Sequence, residues 1–348
     1  MNQYMNTAVE LAEMVSGQTG ENPPVGAVIV KEGRIIGMGA HLKAGGSHAE
    51  VKALNDCDES PEGADIFISL EPCNHHGRTP PCVDALIKAG IKNVYYAFKD
   101  TTLDGRSGEK LNRSGIGYHY MPHPGTADLY RPFLITKNKK RPFVTLKCAV
   151  SLDGKLAADD GYSGFVSNDL SRQDVHQIRH RHDGILIGGG TLLNDDPALT
   201  VRQDSGRQPV PVVLAGNREL CADMALFNHP VRPVIFTTNE KNLQFSSTCQ
   251  IHTGSFSNEE ILEHLFEAGV SSLLIEGGTR ILTQFLKKEL FDDLIIYIAP
   301  KIFGYSSYQI YNEKIHDMDS LKLMLHDVEK LDSDIKLTYR RTALCLQD

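Results

Sequence analysis

The chain has 348 residues, 41% of them apolar and 23% charged, with no tryptophan and a formal net charge of −8. That length is long for one core, so two domains are expected, and the acidic balance gives no general attraction to nucleic acid. The opening MNQYMNTAVELAEMVSG carries Glu10 and Glu13 and lacks a continuous apolar run, so neither a secretion signal nor a membrane span is expected.

In chain order, apolar Met5, Ala8, Val9, Ala12 and Val15 predict an amphipathic helix over 4–16. Asn22-Pro23-Pro24 turns into the strand VGAVIV, and Gly33 makes a hairpin into RIIGMGAH. A helix is predicted over 48–56, a strand over 65–70, a helix over 82–89 and a strand over 93–98. Residues 100–125, rich in Gly, Asp, Thr and Ser, read as loops, and the basic TKNKKRP as a solvated linker. The expected boundaries are 1–136 for the first domain, 137–142 for the linker and 143–348 for the second domain.

Within the first domain, HAEVKAL and LEPCNHHGRTPPC supply His48, Cys73 and Cys82. One imidazole and two thiolates fill three corners of a zinc tetrahedron and leave the fourth for water, the pattern of a catalytic site. A carboxylate that is not a ligand must then move protons from water to the leaving amine. Glu50, two residues after His48, is placed for that, as in the His-x-Glu…Pro-Cys…Cys order of zinc deaminases. Eight residues separate the cysteines where two are usual, so the match is to a long-loop variant. The competing reading, two buried thiols or a disulfide, needs neither His-x-Glu nor a proline before the first cysteine. Asn22 is placed to hold a pyrimidine, or is simply a turn residue before Pro23.

From Phe143 the pattern starts afresh. FVTLKCAV, GILIGG, PVVLAG, PVIFTT, SSLLIEGG and DLIIYIAP are near-continuous apolar runs, as in strands buried on both faces of a parallel sheet. Helices are predicted over 168–181 and 258–269, and two strands over 321–341. Two strands end in glycine runs, at Gly188–Gly190 before Thr191 and at Gly277-Gly278 after Glu276. Such turns admit phosphate or are plain strand-to-helix turns. G-x-G-x-x-G is absent, since Leu193 stands in place of the third glycine, which disfavours a Rossmann domain. Arg179 and Arg202 are read as clamps for a sugar phosphate or as surface ion pairs.

NPPVGAVIV, HAEVKAL, LEPCNHHGRTPPC, DALIKAGI, RPFVTLKCAVSLDGKLA, IRHRHDGILIGGGTLLNDDPALTVR and IEGG, taken in order, resemble the bifunctional pyrimidine deaminase–uracil reductase family of riboflavin biosynthesis. The resemblance implies a cytidine-deaminase-like α/β/α zinc domain followed by a dihydrofolate-reductase-like α/β domain. It implies hydrolytic deamination of 2,5-diamino-6-(ribosylamino)-4(3H)-pyrimidinone 5′-phosphate, then NADPH-dependent reduction of its ribosyl group. One Zn2+ is implied on His48, Cys73 and Cys82, with Glu50 as proton shuttle and Asn22, His41, Asn74 and His76 around the substrate.

In the second domain the resemblance places Ser163, Arg179, Leu199, Arg202 and Glu276 at substrate. It places Ala149, Phe165, Thr191, Asp195, Gly216 and Gly278 at NADPH. Lys147 and Asp195 are the titratable groups read as polarising the open-chain sugar. Three positions depart from the family pattern: Thr102 stands for an asparagine, Phe165 for a tryptophan, and Gly216 follows Ala215 where an aspartate is common. The expected partner is a small pyrimidine ribosyl phosphate, with no nucleic acid or membrane, in a cytoplasmic homo-oligomer; scattered cysteines, odd in number, fit a reducing compartment. The alternative is that only one domain is active, the deaminase being the more exposed to doubt through its divergent 101–120 segment.

Overall fold

The computed structural model describes residues 2–75, 80–103, 106–158, 164–201, 207–313 and 321–341. It divides into two compact units, Met1–Lys139 and Lys140–Asp348. His76, Ser163 and Arg202 lie outside the described residues.

The first unit runs α1 (Asn2–Met14), β1 (Gly26–Lys31), β2 (Arg34–Ala40), α2 (Ala49–Asn55), β3 (Asp65–Ile68), α3 (Cys82–Lys88), β4 (Asn93–Tyr96), α4 (Arg106–Arg113), β5 (Gly117–Tyr120) and α5 (Thr126–Lys139). The sheet order is β2-β1-β3-β4-β5. Its first pairings are antiparallel, and β3-β4-β5 are parallel. Met5, Ala8, Val9 and Ala12, at helical spacing, bury α1 against one face. On the other face, Ala49, Ala53, Val83 and Leu86 bury α2 and α3 with Ile29, Ile66 and Ile68. Gly39 sets how closely α2 sits. A Cβ there would stand 2.4 Å from the Ala49 carbonyl oxygen, so any larger residue would push away the helix that carries Glu50.

Residues 100–125 are less loop-like than expected, since they contain α4 and β5. The apolar signal is weak because α4 buries Ser107 and Gly108 beside Leu111. Gly108 is needed there: a Cβ would lie 2.7 Å from the Tyr118 ring. The expected linker is also shorter. Residues 137–139 form the last turn of α5, whose basic Lys137 and Lys139 suit a helix C-terminus.

The second unit contains β6 (Phe143–Ser151), α6 (Asp169–His180), β7 (Gly184–Gly188), α7 (Gly189–Asp195), β8 (Val210–Gly216), β9 (Val234–Thr237), β10 (Gln250–Thr253), α8 (Asn258–Glu267), β11 (Ser272–Ile275), α9 (Thr279–Lys287), β12 (Asp293–Ala299), β13 (Leu323–Leu331) and β14 (Asp334–Arg341). Nine strands form one sheet in the order β10-β9-β8-β7-β11-β6-β12-β14-β13. It is parallel from β10 to β12, and β14 and β13 close it as an antiparallel hairpin. Leu186 and Val212 enter one apolar cluster while Ile185, Ile187 and Val213 enter another. Both faces are therefore covered, which explains the unbroken apolar runs. The glycine turns follow β7 and β11 at the C-terminal edge of this sheet, where open α/β sheets take ligands.

Candidate functional site

In the first unit, His48 is the extended residue that starts α2, and Cys82 is the first residue of α3. Cys73 follows Glu71-Pro72 on the loop after β3. The Nδ1 atom of His48 lies 3.1 Å from Cys82 Sγ and 3.5 Å from Cys73 Sγ. One ligand atom from each of the three residues falls within 4.8 Å of the others. Three soft or borderline donors converge with no disulfide between the cysteines, which fits a zinc ion. The backbone N–H of Cys82 donates to Cys73 Sγ. Cys73 is held below an ordinary thiol by its hydrogen bond with Cys82; burial opposes this and His48 reinforces it.

Glu50, in the first turn of α2, is 3% exposed. Burial, then the neighbouring Cys73 charge, raises its carboxyl to about 7. His41 is buried beside this group, with its ring edge-on to His48 at 5.4 Å between centroids. It is fixed by Ser47 O at 3.2 Å from Nδ1 and by Asn22 Nδ2 at 3.1 Å from Nε2. Asn74 Oδ1 is buried without a hydrogen-bond partner among the described residues, an acceptor left for an incoming donor. Thr102 is exposed, and its hydroxyl donates to Asp100.

In the second unit, register brings charges together. Ile275 of β11 pairs with Leu146 of β6, which sets Glu276 beside Lys147. Arg179 reaches over from α6, donating from Nε and Nη2 to the two carboxylate oxygens of Glu276 at 2.6 and 3.0 Å. Lys147 Nζ stands 3.9 Å from Glu276. Burial alone would raise Glu276, but the Arg179 and Lys147 charges overcome it and hold the carboxyl down at about 2. The fork of Arg179 is thus engaged by Glu276, and its Nη1 donates to Thr200 O. In this arrangement it is a part-buried ion pair, neither an open phosphate clamp nor a surface pair.

The glycine turns also meet. Gly278 precedes α9 without a side-chain cap, and a Cβ on it would lie 3.7 Å from Thr191 Oγ1. An uncapped N-terminus beside a hydroxyl fits a phosphate of a nucleotide such as NADPH. Ala149 is half-buried on β6, and Gly216 ends β8 at φ 60°. Buried Leu199 sits at φ 53°, a strained backbone for a branched residue. Asp195 is exposed at the far end of α7, raised by partial burial. Phe165 is exposed, with the Arg172 guanidinium 4.3 Å over its ring. The sequence reading missed Tyr297, whose ring lies 5.6 Å under Lys147 Nζ and whose hydroxyl donates to Asp174. A lone tyrosine inside DLIIYIAP was its only signal.

Two family models match. The cytidine and deoxycytidylate deaminase zinc-binding region covers residues 1–98, and the RibD C-terminal domain covers residues 142–337. The riboflavin biosynthesis protein RibD of Aquifex aeolicus is 38% identical over 348 residues, covering 97% of this chain and 98% of its own. The chain belongs to the RibD family. The RibD protein of Escherichia coli strain K12 is 34% identical over 86% of this chain and 88% of its own. Among solved structures, a diaminohydroxyphosphoribosylaminopyrimidine deaminase/5-amino-6-(5-phosphoribosylamino)uracil reductase from Thermotoga maritima superposes with a TM-score of 0.90 at 35% identity, covering 97% of this chain and 98% of that one. RibD from Acinetobacter baumannii gives 0.89 at 33% identity, with 98% of each chain covered. A zinc-binding deaminase region followed by a RibD reductase domain is thus the organisation of this chain, and both are α/β.

Proposed function

We propose that this RibD-family chain catalyses two successive steps of riboflavin biosynthesis. It deaminates 2,5-diamino-6-(ribosylamino)-4(3H)-pyrimidinone 5′-phosphate and then reduces the ribosyl group with NADPH to give 5-amino-6-(5-phosphoribitylamino)uracil. The observation that carries the reading is the convergence of His48, Cys73 and Cys82 beside a buried Glu50.

His48, Cys73 and Cys82 hold the zinc, which when bound makes a water nucleophilic near neutral pH. Glu50 takes a proton from the attacking water and delivers it to the departing amine, which leaves as ammonia. Glu50, buried in the first turn of α2 next to the three ligands, is placed to serve both halves of that transfer. Asn74 Oδ1, buried and unpaired among the described residues, accepts from the pyrimidine, and the Asn22–His41 pair forms the wall beside it.

In the second unit NADPH, when bound, supplies hydride. Thr191 and the Gly278 turn hold its phosphates, with Ala149, Phe165, Asp195 and Gly216 along its length. Lys147, kept in place by Glu276, faces the open-chain sugar as the group that polarises its carbonyl or imine, with Asp195 as the second titratable group. Arg179, Leu199 and Glu276 border the substrate, and Ser163, Arg202 and His76 join these sets on the family pattern. The enzyme acts on a small molecule, in the cytoplasm. No helix among the described residues is long and apolar enough to cross a membrane. Exposed Met324, Leu325 and Val328 on the outermost strand β13 support a homo-oligomer.

Glu50→Gln tests the assignment. It keeps zinc and the reduction of supplied deaminated substrate but loses deamination by about 10³-fold. Loss of zinc in that variant would make Glu50 a ligand and overturn its role as shuttle.

A further inference from the structure

The SLDGK motif, residues 151–155, stands where β6 ends. Ser151, Leu152, Asp153 and Gly154 form a tight turn leaving β6, with Gly154 N–H donating to Ser151 O at 2.9 Å. Ser151 pairs in register with Ala299, the last residue of the neighbouring parallel strand β12. The loops leaving both strands therefore start side by side, and residues 301–309 run across this edge as a strap.

Asp153 binds that strap. Its Oδ1 accepts from Ser151 Oγ at 2.6 Å and from Phe303 N–H at 3.1 Å, and its Oδ2 accepts from Gly304 N–H at 2.8 Å. The Ser151 hydroxyl first, then the two backbone amides, hold the carboxyl down to about 2. It stays an acceptor over the whole physiological range. Leu152 N–H donates to Lys301 O at 2.7 Å, Leu156 N–H to Tyr308 O at 2.9 Å, and Ser306 Oγ to Ala157 O at 2.6 Å.

The strap ends on two places read as cofactor contacts. Lys301 Nζ donates to Phe165 O at 2.8 Å. At the other end Gln309 N–H donates to Thr279 Oγ1 at 3.0 Å, one residue past Gly278. One continuous brace thus joins the Phe165 segment to the turn that opens α9. Gly304, at φ 74°, makes the bend that points its N–H at Asp153.

We infer that Asp153 is a positioning residue for the reductase, anchoring the 301–309 strap so that Phe165 and the Gly278 turn are held at the spacing NADPH requires. The inference rests on the reading that Phe165 and Gly278 serve the cofactor. It assigns the aspartate of SLDGK no proton transfer. A shared brace also couples two contacts far apart in sequence, so weakening its centre affects both.

The test uses the full-length, zinc-loaded protein. NADPH affinity is measured by fluorescence titration without pyrimidine substrate, and amide hydrogen exchange is followed over 301–309 in the same samples. Asp153→Ala is expected to weaken NADPH about tenfold, as for removing a charged acceptor. It raises the KM for NADPH more than it lowers kcat and speeds exchange at Phe303, Gly304 and Gln309. Asp153→Asn, which keeps one acceptor oxygen, falls between Ala and the native residue. Gly304→Ala strains the strap without touching any charge and gives the same pattern if Asp153→Ala fails to fold. Zinc content and ammonia release stay unchanged in each. Native protein that binds no NADPH would overturn the cofactor reading and the positioning role with it. Native binding with an unchanged Kd in the variants would overturn the positioning role alone.

Discussion

Each unit shelters one carboxylate at its site, Glu50 fully and Glu276 partly, and the two are shifted in opposite directions. Glu50 is raised to about 7 and Glu276 is lowered to about 2. Burial pushes both upward, so burial is not what separates them. Glu50 faces a thiolate, which adds to the push, whereas Glu276 faces Arg179 and Lys147, which reverse it. Among protein groups alone, Glu50 meets a thiolate with His48 as the only opposing charge, whereas Glu276 lies between two permanent cations. Distance along the chain differs as well. The zinc donors come from 35 residues of sequence, while Lys147, Arg179 and Glu276 meet only through sheet register and α6.

The sharpest break in that comparison comes from the metal side. Cys73→Ser is expected to abolish deamination and strip zinc, and to lower the unfolding temperature of the first unit because metal binding contributes to its folding. Metal analysis with calorimetry checks this; full zinc occupancy in the variant would remove Cys73 from the ligand set. Arg179→Met strands the Glu276 carboxylate next to Lys147 alone. Lys147 still faces the carboxylate, so the cost is that of an imperfectly paired charge, about 1–3 kcal/mol, read as a shift in urea unfolding of the second unit while zinc content holds. Arg179→Met with Glu276→Leu recovers most of the loss. No recovery would mean that packing, not charge, is what the pair contributes.

The acid limb separates the two carboxylates without any substitution. Glu276 has a folded value below its ordinary 4.5, so its contribution to stability is present above about pH 5 and is lost as pH falls toward 2. Unfolding of the second unit followed across that window steepens with acid, and Glu276→Gln flattens it. An unchanged slope in the variant would mean that other groups carry the acid sensitivity. The smallest effect is expected at Thr102. Its side chain is engaged with Asp100 and exposed, so Thr102→Asn, restoring the family residue, changes the KM for deamination a few-fold and leaves kcat alone. A large gain in kcat would make Thr102 a real defect.

How much could be read beforehand follows the same division. The convergence of His48, Cys73 and Cys82 was legible because these residue types are chemically specific and their order is local. Helices α2 and α3 were legible from Ala49, Ala53, Val83 and Leu86 at core spacing. In contrast, α4 was hidden because the close approach of Tyr118 selects Ser107 and Gly108 where a helix normally shows apolar bulk. The both-face burial of the second sheet was visible in its apolar runs. What Arg179 binds was not, since its partner stands 97 residues away and only register delivers it. Asp153 is a similar case, with its strap 151 residues downstream at Gly304.

The most direct measurement is a coupled assay on purified protein with the diaminopyrimidine ribosyl phosphate, following ammonia release and NADPH oxidation together and counting zinc in the same sample. One zinc per chain, ammonia release and then stoichiometric NADPH consumption are predicted, with the two steps lost separately in Glu50→Gln and Arg179→Met. NADPH consumption only on supplied deaminated substrate, from protein with full zinc, would contradict the account. It would mean that the zinc site no longer deaminates and that the divergence around Thr102 has disabled it.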